Sequence, residues 1–262
     1  VSDGARLRGR SAVITGGGRG VGAAVAQRLA SAGAAVLVAA RTASEVEQVA
    51  ARLRDEGHTA HATLCDVADE SSVEGLAATA RDRLGHVDIL INNAGIASAA
   101  PIHRTTLDVW TRMLTVNATG AFLCLRAFLP GMVERGWGRV VNVASVAGLS
   151  ADRYISAYAA SKHALVGLTR AAAAEVASRG VTVNAVCPGY LDTGMTRDTI
   201  ARIVQTTGRS EDTALEAILQ RVPQKRLIEP DEVAEAVVFL CGEAARGITG
   251  ESLVIDGGDL RR

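Results

Sequence analysis

Tyr158 and Lys162 stand four positions apart in Tyr158-Ala159-Ala160-Ser161-Lys162. On a helix that spacing puts a phenol and an ammonium on one face, each within the other's influence. A phenol with its ordinary pKa of about 10 is a sluggish proton shuttle at neutral pH, so a nearby cation is chemically useful. Lowering it by roughly three pKa units takes about 4 kcal/mol of differential stabilisation, which an ammonium and a second positive charge can supply together. A tyrosine–lysine pair on a helix is ordinarily a surface feature, and its meaning comes from its surroundings. Thirteen residues before Tyr158, Ser145 closes the apolar run Val143-Ala144-Ser145, where its hydroxyl can bond a carbonyl oxygen. The plain alternative for Ser145 is a cap or a turn. Tyr154 is not equivalent to Tyr158, because Tyr158 and not a lysine stands four places on; it is expected to line a substrate pocket.

A second cluster lies near the N-terminus, where Thr15-Gly16-Gly17-Gly18-Arg19-Gly20-Val21-Gly22 follows an apolar run and opens a helical segment. Strand, glycine turn and helix in that order make an anion site. Glycines let the backbone approach a pyrophosphate, while helix N–H groups and the helix dipole supply positive potential. The glycines alone would mark only a tight turn, and the placement is what counts. The spacing is T-G-x-x-x-G-x-G rather than G-x-G-x-x-G. The next apolar run ends Val38-Ala39-Ala40-Arg41, with a cation where a carboxylate commonly meets an unphosphorylated ribose. Arg19 and Arg41 together point to a 2′-phosphate, hence to NADP(H); otherwise they are two solvated charges on exposed turns.

The elements that must position these groups alternate along the chain. Short β-branched runs at Ser11–Thr15, Ala35–Ala40, Thr59–Leu64, Asp88–Ile91, Arg139–Ala144, Thr182–Val186 and Ser252–Ile255 predict strands. Amphipathic stretches at Gly22–Ser31, Ala43–Glu56, Ser71–Leu84, Leu107–Glu134, Ala157–Ser178 and Asp231–Leu240 predict helices between them. Such a series predicts an α/β fold of Rossmann type: one doubly wound parallel sheet with helices on both faces and a crevice beyond the carboxyl ends of the strands. A single domain over residues 1–262 suffices. Pro188 to Glu229 runs long without a predicted strand, and residues 190–228 are read as a substrate lid, helical over Glu211–Val222.

Together these motifs resemble the short-chain dehydrogenase/reductase family, over essentially the whole chain through Asp256-Gly257-Gly258. The resemblance implies that Thr15, Gly16, Gly18, Arg19, Gly20, Val21, Gly22 and Arg41 hold the cofactor, with Asp66 and Val67 at the adenine. It implies the same of Asn93, Ala94 and Gly95 in Asn92-Asn93-Ala94-Gly95, and of Pro188, Gly189 and Thr193 at the nicotinamide carboxamide; Tyr158 and Lys162 also contact cofactor. Asn117 looks like the helix asparagine that links the lysine through water to solvent, although an asparagine in an apolar helix can equally bond backbone. The implied chemistry is reversible ketone reduction, with Tyr158 as proton donor. Asn184 through Tyr190 and Arg221-Val222-Pro223 look most like β-ketoacyl and polyketide ketoreductases, so the expected substrate is a 3-oxoacyl thioester or similar bulky ketone. A secondary-alcohol or hydroxy-acid dehydrogenase is the alternative, and an NADPH-binding regulatory protein the non-enzymatic one. The family further implies a homotetramer built on the long helices.

Composition constrains the rest. Formal net charge is +0, with 28 basic and 28 acidic residues, so no overall field draws the chain to nucleic acid or an anionic membrane. Aromatics are 3%, too few for a base-stacking platform. Cys65, Cys124, Cys187 and Cys241 are scattered singly, which predicts buried thiols and no metal site. No stretch is expected to be long enough to span a bilayer, and a cytoplasmic setting is expected.

Overall fold

The computed structural model describes residues 6–260. Seven strands form one parallel sheet in the order β3-β2-β1-β4-β5-β6-β7. They are β1 Ser11–Thr15, β2 Ala35–Ala40, β3 Ala60–Leu64, β4 Ile89–Asn92, β5 Gly138–Val143, β6 Val181–Pro188 and β7 Ser252–Ile255. Each expected strand is present with its ends displaced by no more than two residues. The helices are α1 Gly20–Ser31, α2 Ala43–Asp55, α3 Glu70–Leu84, α4 Leu107–Leu114, α5 Gly120–Arg135, α6 Ser156–Val176, α7 Gly194–Thr207, α8 Glu211–Leu219 and α9 Pro230–Cys241.

The period of two along the strands divides the core. Ala12, Ile14, Ile89 and Ile91 face α1 and α9, packing on Val25, Leu29, Val233 and Val237. Val13, Leu37 and Leu90 face the other way, onto Leu76 of α3, Cys124, Phe128 and Met132 of α5, and Val176 of α6. The connections place the reversal of strand order between β1 and β4, where α/β sheets open a crevice at their carboxyl ends.

Three expectations need correction. The segment Leu107–Glu134 is not one regular α-helix: a π-helical turn at Thr115–Thr119 separates α4 from α5, a local widening that periodicity cannot register. The stretch Leu107–Arg135 is also long and apolar enough to cross a membrane, with a mean hydropathy of 1.3 in its most apolar window. Half of that window is buried within the protein, against β4, β5 and α3, so its apolarity serves packing. Finally, the long connection after β6 contains α7 as well as α8. Helix α8 is capped by Ser210, whose hydroxyl accepts the Thr213 N–H at 3.2 Å, and it buries Ala214 and Ile218. Helix α7 buries only Thr196. Its apolar Ile200, Ile203 and Val204 do stand at helical spacing but are only half-buried, a short signal absent from the expected helices.

Candidate active site

One cavity of about 1140 Å³ runs across the carboxyl ends of the strands. Its walls join the glycine turn after β1, the loops after β2, β3, β4 and β5, the start of α6, and α7 with the segment after α8. Of the residues expected to hold cofactor or do chemistry, all but Thr15, Gly22 and Asn117 line it. Those three stand behind the wall and shape it.

Thr15 and Asn93 tie two loops together. The Thr15 hydroxyl accepts the N–H groups of Asn93 at 3.1 Å and Ala94 at 3.2 Å, while the Asn93 amide donates to the carbonyls of Thr15 and Gly16, both at 3.0 Å. A side chain has no room in this clasp. A Cβ on Gly22 would lie 2.2 Å from the Gly16 oxygen, and Gly16 itself has φ +63. At the start of α1, Arg19 is extended (φ −160) and makes no side-chain cap bond, so the first-turn N–H groups are presented to the cavity rather than to a capping oxygen. That close-fitting glycine cradle, ending on an uncapped helix, suits a pyrophosphate.

Arg19 and Arg41 both line the cavity. The structure adds a residue that sequence spacing did not flag: Glu45, on the first turn of α2, whose carboxylate lies 3.9 Å from the Arg19 guanidinium. Arg19 is 81% exposed, so this pair is weak and leaves the guanidinium available.

Ser145 follows β5 and opens a short 3₁₀ turn, Val146–Gly148, accepting the Ala147 N–H at 3.1 Å. The capping alternative for Ser145 is therefore realised, and it leaves the hydroxyl hydrogen free to donate. That turn packs so closely on α6 that a Cβ on Gly148 would stand 2.8 Å from the Lys162 carbonyl. Tyr158 and Lys162 lie on one face of α6, with the ammonium 5.9 Å from the centre of the phenol ring. Lys162 is buried and donates to the Val143 carbonyl at 2.9 Å.

Burial sets the electrostatics of this pair. It pushes the Tyr158 phenol above its usual 10.0, against an opposing pull from the Ser145 hydroxyl. Burial likewise brings Lys162 down to about 8. The protein's own groups thus keep the phenol protonated at neutral pH. A protonated phenol beside a free hydroxyl donor can hold a carbonyl oxygen and give it a proton.

Asn117 sits in the π-helical turn, 1% exposed. Its amide oxygen accepts the Ile96 N–H at 2.8 Å, and its amide nitrogen donates to the Ile96 carbonyl and the Ser161 hydroxyl, both at 2.9 Å. Ser161 in turn donates to the Tyr158 carbonyl at 2.7 Å. Asn117 therefore bonds backbone, but across the fold rather than locally, and joins the loop after β4 to the helix carrying Tyr158. Ser161, an ordinary helix residue by sequence, is the intermediate.

Tyr154 departs from expectation. It does not line the cavity; its side chain is exposed, its φ is +71, and its carbonyl accepts the Ala100 N–H at 2.7 Å. The four cysteines are buried and unpaired, as expected, and no group of three metal-ligating side chains occurs among the described residues.

Comparison with known proteins places this geometry in context. A family model described as short chain dehydrogenase matches residues 10–203. The D-beta-hydroxybutyrate dehydrogenase of Rhizobium meliloti is 37% identical over 253 residues, covering 95% of this chain and 98% of that protein. The 3-oxoacyl-(acyl-carrier-protein) reductase FabG of Vibrio harveyi is 37% identical over 252 residues, covering 96% and 98%. A crystal structure of an actinorhodin polyketide ketoreductase with NADPH is 37% identical with a TM-score of 0.92, over 95% of this chain and 96% of that one.

Proposed function

This chain belongs to the short chain dehydrogenase family, and from that premise we propose that its cavity holds NADP(H) beside a ketone or secondary alcohol and interconverts the two. The observation that carries this is the single cavity joining the uncapped glycine turn to Ser145, Tyr158 and Lys162. When bound, NADP(H) supplies or accepts the hydride. The glycine turn and α1 hold the pyrophosphate, Arg19 and Arg41 the 2′-phosphate, Asp66 and Val67 the adenine, and Gly189 and Thr193 the far end.

In the reducing direction Ser145 and Tyr158 hold the carbonyl oxygen. Charge develops there, and the Tyr158 hydroxyl gives up its proton to it. Lys162 steadies the resulting phenolate, while Asn117, through Ile96 and Ser161, fixes the loop and helix between which the pair works. Residues 190–228 cover the substrate, with Met195, Asp198, Thr199 and Arg202 on one face of α7 forming part of the cavity wall. The substrate we favour is a 3-oxoacyl thioester or polyketide-like ketone, in keeping with the reductases it resembles.

The test is NADPH consumption with a panel of 3-oxoacyl thioesters, cyclic ketones and aryl ketones, alongside NADP+ reduction by hydroxy acids. Turnover of thioesters above the rest is expected. NADPH binding without turnover of any member would favour the regulatory alternative. Cofactor choice has its own test. Arg41→Asp places a carboxylate beside the 2′-phosphate, and kcat/KM for NADPH is expected to fall by about 100-fold while that for NADH holds or rises. Equal use of both cofactors by the unaltered protein would remove the assignment.

We extend the proposal to a homotetramer. Leu107, Trp110 and Phe122 are exposed along α4 and α5, and Phe239 and Leu253 on α9 and β7, giving two apolar faces for two interfaces. Light scattering is expected to return four times the chain mass, and a monomer would refute it.

A further inference from the structure

At the end of the cavity formed by the segment after α8, four residues from separate parts of the chain meet. Arg221 reaches Asp152, in the loop before α6, with Nη2 to Oδ2 at 2.9 Å, and its Nε lies 3.9 Å from Oδ1 of Asp259 in the C-terminal tail. Tyr190, just after β6, lines the same wall. The footing is firm. Gln224 donates its N–H to the Gly257 carbonyl at 3.2 Å, and the Asp256 carboxylate accepts the N–H groups of Gly258 at 2.8 Å and Leu260 at 2.6 Å. Asp259 is 9% exposed, so it cannot swing away into solvent, whereas Arg221 is 49% exposed and retains donors for an incoming group.

Counting charge, one guanidinium faces two carboxylates and the cluster carries a net −1. The other charged side chains on this part of the wall offset one another: Asp192 lies 3.6 Å from Arg197, and Asp198 stands with Arg202 on α7. Burial keeps the Tyr190 phenol above its usual value, so it presents a neutral hydroxyl. A carbonyl, ester or hydroxyl oxygen needs only a donor and meets no repulsion here. A substrate carboxylate has to displace Asp152 from Arg221 and then sit beside Asp259.

Resting on the ketone-reducing reading above, we propose that Arg221, compensated by Asp152 and Asp259, is a specificity-determining residue that selects ketones carrying neutral oxygen groups over ketones carrying a free carboxylate. The experiment compares methyl acetoacetate with acetoacetate, and includes cyclohexanone, which lacks a second oxygen group, as a check on ketone reduction itself. The intact protein is expected to favour the ester in kcat/KM by at least about tenfold. Asp152→Asn keeps the shape and removes one negative charge; it is expected to narrow that ratio by about tenfold, through a lower KM for the acid. Asp259→Asn is expected to move the ratio the same way, which guards against a variant that misfolds. Preference of the intact protein for the acid, or an unmoved ratio in both variants while cyclohexanone is reduced, overturns this inference alone. No turnover of any of the three ketones while the thioester panel above is reduced overturns this inference alone, and no turnover across both panels overturns the ketone-reducing reading with it.

Discussion

Tyr158→Phe is expected to lower kcat by about 10³-fold, within the range of losses when a positioned proton donor is removed. The substitution deletes one oxygen and leaves the ring packed on α6, so NADPH affinity, read by fluorescence titration, is expected to stay within about twofold. The direction follows from the site. Burial holds the phenol above its ordinary pKa, so the proton is in place at neutral pH, and Ser145 can orient a carbonyl but lacks an acidic proton of its own. Because the phenol starts protonated, reduction is expected to persist at pH 7 while alcohol oxidation, which needs the phenolate, rises toward alkaline pH. Near-normal reduction by Tyr158→Phe would show that another group supplies the proton.

The second large effect is expected at Lys162, with opposite signs for activity and stability. Lys162→Met is expected to cut kcat/KM by at least about 100-fold, since the charge that steadies the phenolate is gone. At pH 7 the same variant is expected to be more stable than the intact protein. The ammonium is buried, and its folded-state pKa is depressed from 10.5 to about 8. The unfolded chain therefore holds that proton more tightly. The cost to folding is fully present below pH 8 and is lost as pH rises from 8 through 10.5, above which the amine is neutral in both states. The depression corresponds to about 3 kcal/mol. Loss of the bond to the Val143 carbonyl offsets about 1 kcal/mol, leaving a gain of about 2 kcal/mol. Urea denaturation of both proteins at pH 7 and pH 10.5 checks this through the difference between them. Buried Cys124 and Cys241, pushed up to about 12, weaken both proteins at alkaline pH and cancel in that difference. A less stable Lys162→Met at pH 7 would mean that the buried ammonium is well compensated in the fold.

Much of this site can be read along the chain because its key groups sit at the ends of regular elements. Ser145 follows β5, the glycine turn follows β1, and Tyr158 and Lys162 share a face of α6; the hydrophobic period fixes such places. What escaped is what depends on contacts distant in sequence. Glu45 meets Arg19 only because α2 folds back over the turn, and Asn117 meets Ile96 and Ser161 only because a π-helical turn directs it inward. Helix α7 escaped for another reason: its periodic trace is short, Ile200, Ile203 and Val204 alone, and polar residues fill most of the rest of the helix. Tyr154 was misplaced because its left-handed backbone turns the ring to solvent, and a non-glycine residue at φ +71 has no reliable sequence signature.

The clasp of Thr15 and Asn93 divides the cavity into two parts of different construction. Its four hydrogen bonds cross-link the loops after β1 and β4, where glycines leave no slack. The opposite wall is α7, anchored by a single buried side chain. The molecule is thus a fixed floor under a replaceable roof. Exchanging residues of α7 redraws the shape offered to a substrate at little cost to the core, whereas a methyl group added at Gly22 would break the floor.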